Sequence, residues 1–328
     1  MNTQSILRTA LLIIVLPAAP ACSSSDDSAV PPPADAGVPP GGGTRAAIDL
    51  FWATYHGNDY ARIPDVQAAL QAAIDRDPND AELYAYLAAT HFWHIGEYKR
   101  DPHPDPAVLQ QDMPMAAQLF QKASDLDPNE DHLPGFVGVT TVHAGQLAND
   151  PTLIALGDRI LDRSVYRFPE FNNFNRWAAH NHDPKDSPSY RAALDSLWQL
   201  VDACVGASID RSHPDLTPYV SLQISVGRKR VCWWGNDLAP YAWEGIMLNL
   251  GNGLVKAGQI DAARIAYANA KLPPDYDTWP YRAELEAIVA SDLAARAALF
   301  ADADPSNDPP ITIKDRGCVY CHARVAER

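Results

Sequence analysis

The chain has 328 residues, 47% of them hydrophobic and 20% charged, with a formal net charge of −15. That length and apolar fraction suffice for a sizeable buried core. The acidic balance excludes nucleic acid as a partner, since like charges repel.

Met1–Thr9 carries a single charge, Arg8, and Ala10–Leu16 is a continuous apolar run, ALLIIVL, followed by small residues and then Cys22. The run is too short to cross a bilayer, and the pattern predicts a signal peptide over residues 1–21. Its removal takes one cation with it, from −15 to −16. Ala19-Pro20-Ala21-Cys22-Ser23 resembles the lipidation site of bacterial lipoproteins. That resemblance implies that Cys22 becomes a lipidated first residue. With Ser rather than Asp after it, it also implies an outer-membrane anchor facing the periplasm. A secreted or soluble periplasmic protein is the alternative. Residues 22–44 are mostly Ser, Asp, Pro, Ala and Gly. They hold almost nothing to bury and read as a disordered tether.

From residue 45 to about 303 the apolar spacing is helical, punctuated by Pro and Gly, and predicts an all-α body. Ala-rich segments end in Asp77-Pro78 and Asp127-Pro128, each followed by another amphipathic segment. In the region 249–279, Leu250, Gly251, Gly258, Tyr267, Ala270 and Pro274 fall at helix, turn and helix positions. This is similar to the tetratricopeptide repeat, with an earlier, looser copy over Val66, Leu70, Ala73, Pro78, Tyr84, Leu87 and Ala88. The resemblance implies a helical-hairpin solenoid. One stretch departs from it. Val220, Leu222, Ile224 and Val226 alternate, which predicts one extended insertion near 216–226. The basic trio Arg228-Lys229-Arg230 follows and reads as a solvated turn.

Counted from the turn prolines, His91, His94, His143, His180 and His182 fall near the ends of successive first helices, on one rim of the superhelix. Such a rim can supply imidazole to a metal, or can simply complement helix C-termini. His56, His103, His132 and His213 follow no pattern. Glu82, Glu97, Glu170 and Glu244 are scattered and read as solvated or capping groups. No phosphate-cradling glycine loop, nucleophile elbow or His-Glu-x-x-His motif is present.

Residues 304–328 hold Cys318-Val319-Tyr320-Cys321-His322. Two thiols at this spacing can reach the two vinyl groups on one porphyrin edge, and the next residue then falls over the metal. This resembles the attachment segment of c-type cytochromes. The resemblance implies one covalent haem c on Cys318 and Cys321, with His322 on iron. A redox dithiol, a terminal disulfide and half of a zinc site are the other readings of the same residues. Nothing after His322 offers a second ligand, so a sixth ligand must come from the body. His91 or His94 is favoured, then His180 or His182; Met113 and Met115 are less suited, and Met247 reads as core. With Cys22 and the haem pair assigned, Cys204 and Cys232 remain, and in an oxidising compartment they form a disulfide. Three functions follow. The first is electron transfer, with the body as docking surface for a redox partner in the envelope. The second is a scaffold for other envelope proteins, with a structural Cys pair. The third is a haem enzyme with an open iron position.

Overall fold

The computed structural model describes residues 42–222, 227–302, 304–314 and 316–325. The signal peptide, Cys22 and nearly all of the tether lie outside these residues, as do Ile224 and Val226.

The protein is an all-α helical-repeat solenoid. Among the described residues there are twelve α-helices: α1 (Gly42–His56), α2 (Ile63–Arg76), α3 (Ala81–Gly96), α4 (Ala107–Leu126), α5 (Leu133–Ala148), α6 (Pro151–Arg167), α7 (Pro169–His180), α8 (Pro188–Val205), α9 (Ala242–Lys256), α10 (Ile260–Asn269), α11 (Arg282–Ala290) and α12 (Leu293–Leu299). Consecutive helices pair as hairpins from α1/α2 to α9/α10, and each hairpin stacks on the next. No strand forms among the described residues; one isolated bridge joins Ile313 and Arg316.

The Asp-Pro turns work by local hydrogen bonding. Proline cannot continue a helix, and an Asp side chain can hold the departing backbone. Asp77 Oδ1 accepts from Asn79 N and Asp127 Oδ1 from Asn129 N, at 3.4 and 3.0 Å. Asp80 then caps α3 by accepting from the Glu82 and Leu83 amides. Asp150 and Ser187 cap α6 and α8 in the same way. Within the α9/α10 hairpin, Gly251 leaves room for the ring of Tyr267, whose Cε1 lies 2.2 Å from where a Cβ would stand. Tyr267 Oη donates to Asn252 Oδ1. The small and large repeat positions read from the sequence therefore face each other.

α9 is the central element: every one of its residues is buried. Trp177 of α7 donates to Asn249 Oδ1, and Tyr190 of α8 donates to the Gly253 carbonyl. Met247 is fully buried core, whereas Met115 is exposed.

The described part of the segment expected to be extended is not. Thr217–Leu222 winds into a 3₁₀ helix. A single strand with no neighbour leaves its backbone groups unpaired, whereas a tight turn satisfies them locally; Tyr219 N donates to the Leu216 carbonyl at 2.9 Å. The expected disulfide is present. Cys204, at the end of α8, is joined to Cys232 with the Cα atoms 5.8 Å apart. Beside it Trp233 stacks on Trp243 of α9, with ring centroids 4.5 Å apart. The bridge ties the 3₁₀ turn Arg228–Cys232 back to the end of α8.

Replacing Cys232 with Ser should lower the free energy of unfolding by about 3.5 kcal/mol, the entropy of opening a loop of this length. Denaturant titration of the two proteins measures it. A shift below about 0.5 kcal/mol would mean that the bridge constrains nothing.

Candidate functional site

The C-terminal segment folds back on the body. Ile311, Ile313, Val319, Tyr320 and Ala323 are buried in the main core, although the segment is itself irregular. Its seat is the end of α3. Helix α3 stops at Gly96, and Glu97 follows with its side chain buried. Glu97 Oε1 accepts from the amides of Cys318 and Val319, at 2.9 and 3.0 Å. Its Oε2 accepts from Trp93 Nε1 at 3.0 Å and from Arg100 Nη1 at 2.7 Å. Four donors thus converge on one carboxylate, which is what a buried charge needs. The reading of Glu97 as solvated or capping is therefore corrected: it is an internal anchor between residues 221 positions apart. Glycine makes the approach possible, because a Cβ on Gly317 would stand 2.8 Å from the Gly96 carbonyl oxygen.

Further bonds fix the rest of the segment. Trp279 Nε1 donates to the Tyr320 carbonyl, Asn249 Nδ2 to Tyr320 Oη, Tyr241 N to the Cys321 carbonyl, and Arg324 N to the His56 carbonyl. The sequence motif is thus held by α1, α3, α9 and the 3₁₀ turn before Trp279.

Cys318 and Cys321 are both thiols, each with part of its residue surface accessible. The sulfurs are turned toward the body. Cys318 Sγ lies 3.1 Å from where a Cβ on Gly96 would be, and Cys321 Sγ 2.0 Å from where one on Gly245 would be. Burial first, and then the neighbouring Glu97, push the Cys318 thiol well up; burial and Glu244 do the same to Cys321. Both are protonated and poorly nucleophilic in this seat.

His322 is the better-defined donor. Its Nδ1 lies 2.8 Å from the Leu238 carbonyl oxygen. A carbonyl only accepts, so Nδ1 carries the proton and Nε2 presents its lone pair. Burial, partly offset by that hydrogen bond, pushes the imidazole down to about 4, so it is neutral at physiological pH. The ring lies against Tyr55, with centroids 4.8 Å apart, and near Trp52 at 6.3 Å. Tyr55 in turn meets Trp93. His56, which no sequence pattern marked, shares the acceptor: its Nε2 is 3.0 Å from the same Leu238 oxygen. Its only sequence signal is its place at the end of α1.

Of the five histidines expected on one rim, His94 and His180 lie in the last turns of α3 and α7, His91 and His143 lie more than a turn before the ends of α3 and α5, and His182 lies beyond α7. His91 and His94 both direct Nδ1 to Asp112 of α4, at 3.1 and 2.5 Å. Burial opposes the Asp112 charge, but the two imidazoles outweigh it and hold that carboxyl at about 2. Nε2 is left as the coordinating atom on each. His143 Nε2 contacts the Ala178 carbonyl. His180 is bracketed by carboxylates, Nδ1 to Asp183 and Nε2 to Asp158, both at 2.8 Å. Neither nitrogen of His180 retains a lone pair for a metal. His182 lies on the surface just beyond α7. The rings that His322 meets are Tyr55 and Trp52, not a member of this rim. Among the described residues, no cluster of three or more His, Cys, Asp or Glu side chains is arranged to hold a metal ion.

Glu244, also expected to be solvated, is fully buried in α9, and neither carboxylate oxygen has a hydrogen-bond partner among the described residues. Burial pushes it up to about 8, so it is a neutral acid at pH 7. Among the described residues, two open cavities of about 330 and 400 Å³ lie against α11 and α8 and reach none of Cys318, Cys321 or His322.

No family model, no curated protein and no solved structure matches the chain.

The His180 bracket has a pH signature. Burial disfavours its charge, but the bonds to Asp158 and Asp183 outweigh this and raise it from 6.5 to about 9. A raised folded value contributes stability that is complete below the unfolded value and is lost as pH climbs through the folded one. His180→Gln should therefore destabilise the protein by about 2 kcal/mol near pH 6 and far less near pH 10. Denaturant midpoints of both proteins across this range measure it, and a difference that does not change with pH would show that His180 carries no linked proton.

Proposed function

We propose that this protein is an exported, helical-repeat lipoprotein that carries one covalent c-type haem at its C-terminal end and transfers electrons. Cys318 and Cys321 would hold the porphyrin by thioethers and His322 would give Nε2 to the iron. The observation that carries this reading is the state of His322. Its Nδ1–H is fixed by a backbone carbonyl, its charge is suppressed, and its Nε2 lone pair is kept. That is the outer-shell arrangement a metal-ligating imidazole uses, because it sets both tautomer and ring orientation. The two cysteines support it by remaining thiols instead of joining each other. Bound haem would supply a one-electron iron couple. The chain's own contribution is to orient His322 through Leu238, to cover one side of it with Tyr55 and Trp52, and to anchor the segment through Glu97.

The body would act as docking surface for a redox partner in the envelope, in keeping with its likeness to tetratricopeptide repeats. Cys22 would be lipidated and would tether the body to the outer membrane, facing the periplasm. For the sixth ligand, His91 and His94 remain the better choice, since Asp112 leaves Nε2 on each; His180 does not.

A second reading is favoured by a specific contact. The sulfurs pack against Gly96 and Gly245, as structural side chains would, which suits a scaffold whose C-terminal segment only completes the core. Production in a host with c-type maturation machinery separates the two. The haem reading predicts a mass increase of one haem that survives denaturation, and a loss of attachment in Cys321→Ala. Two free C-terminal thiols on the protein from such a host would overturn it in favour of the scaffold.

A further inference from the structure

The cavity against α11 has three walls. Tyr281 and residues of α11, among them Ala287 and Ile288, form one. Arg296 of α12 forms the second, and the C-terminal segment forms the third. The core holds that third wall in place. Ile311 and Ile313 are buried, Asn252 Nδ2 donates to the Ile311 carbonyl at 2.9 Å, and Arg316 N donates to the Ile313 carbonyl at 2.9 Å.

Its charge runs against that of the chain. The sequence as a whole carries −15, yet among the described residues three cations, Arg296, Lys314 and Arg316, line this cavity with one carboxylate, Glu284. Neither Arg296 nor Lys314 makes an ion pair among the described residues, so Glu284 does not neutralise them. Arg296 Nε is in addition buried with no hydrogen-bond partner among the described residues. Buried polar groups almost always have a partner, and a charged group's N–H left without one is costly. The cavity against α8 differs in this respect: its Lys185 and Arg211 are paired with Asp186 and Asp195.

We propose that the cavity between α11, α12 and the C-terminal segment binds a small organic monocarboxylate with an apolar body. The guanidinium of Arg296 takes the carboxylate, since its planar fork matches the two oxygens and gives its N–H groups acceptors. Lys314 and Arg316 add positive charge beside it. Ala287, Ile288 and Ile313 take the body, a lining that an inorganic anion would leave unused. Glu284 at the same cavity disfavours a second negative charge on the ligand. A volume of about 330 Å³ lies at the lower end for ligand pockets, which suits a molecule of metabolite size and not a polymer. The site uses none of Cys318, Cys321 or His322 and stands whether or not haem is attached.

Calorimetric titration of the full chain at low ionic strength tests this, with benzoate, phenylacetate and hexanoate as probes. Each is run beside its neutral amide, and inorganic phosphate is run alone. At least one carboxylate should bind, one per chain, with a Kd below about 1 mM. Its amide should bind at least about 10-fold more weakly, and Arg296→Gln should weaken the carboxylate by a similar factor. Lys314→Gln, at an exposed position, should weaken it less and leaves the fold alone. Ala287→Trp fills the apolar side with every cation in place and should abolish binding. No saturable binding of any of the three carboxylates would overturn the proposal, as would phosphate binding more tightly than all of them. Unchanged affinity in Arg296→Gln or in Ala287→Trp, with the circular-dichroism spectrum still helical, would overturn it as well. The readout contains no haem, so a chain that never acquires haem would remove the haem reading and leave this result to stand.

Discussion

One buried carboxylate joins the end of α3 to the C-terminal segment. Glu97 sits where α3 runs out, and it accepts from two amides of the C-terminal segment, one indole and one guanidinium. A carboxylate in this position without such partners would cost several kcal/mol. With them it fixes the one irregular segment that carries thiols and an available imidazole. The placement of His322 against Leu238, Tyr55 and Trp52 rests on that anchor together with the bonds that Trp279, Asn249, Tyr241 and His56 make to the same segment.

The helical hairpins provide the rest of the frame by ordinary means. Asp-Pro turns end helices and restart them, side-chain caps satisfy the first amides, and glycines let α9 and α10 approach. The consequence for function is indirect. α9, buried along its whole length, places Gly245 under Cys321 and Asn249 at the Tyr320 hydroxyl. The repeat architecture therefore builds the floor on which the C-terminal segment lies, and the disulfide closes the insertion that precedes that floor.

Much of this was legible in the sequence, and the failures have physical reasons. Helix periodicity and Asp-Pro punctuation foretell the solenoid because both act locally. The pairing of Cys204 with Cys232 follows from counting. The alternation at Val220 and Leu222 misleads because a strand needs a neighbour that the sequence does not show, and the chain takes a 3₁₀ turn instead. Glu97 and Glu244 look like solvated helix residues because their burial comes from contacts far along the chain. For Glu97 the partner is 221 positions away. The histidine rim was visible as a register, but register says nothing of Asp112, Asp158 or Asp183, which engage those rings. His56 escaped notice because its relation to His322 runs through a shared backbone carbonyl, a feature no side-chain pattern encodes.

The C-x-x-C-H segment is an anchored part of the body and not a free tail. Amide hydrogen exchange at Cys318 and Val319 tests it most directly, since these are the two amides that Glu97 accepts. Both should exchange far more slowly than the same residues in the unfolded chain, by about 100-fold or more, and Glu97→Ala should remove this protection. Exchange of both amides at the unfolded-chain rate in the wild type would contradict it.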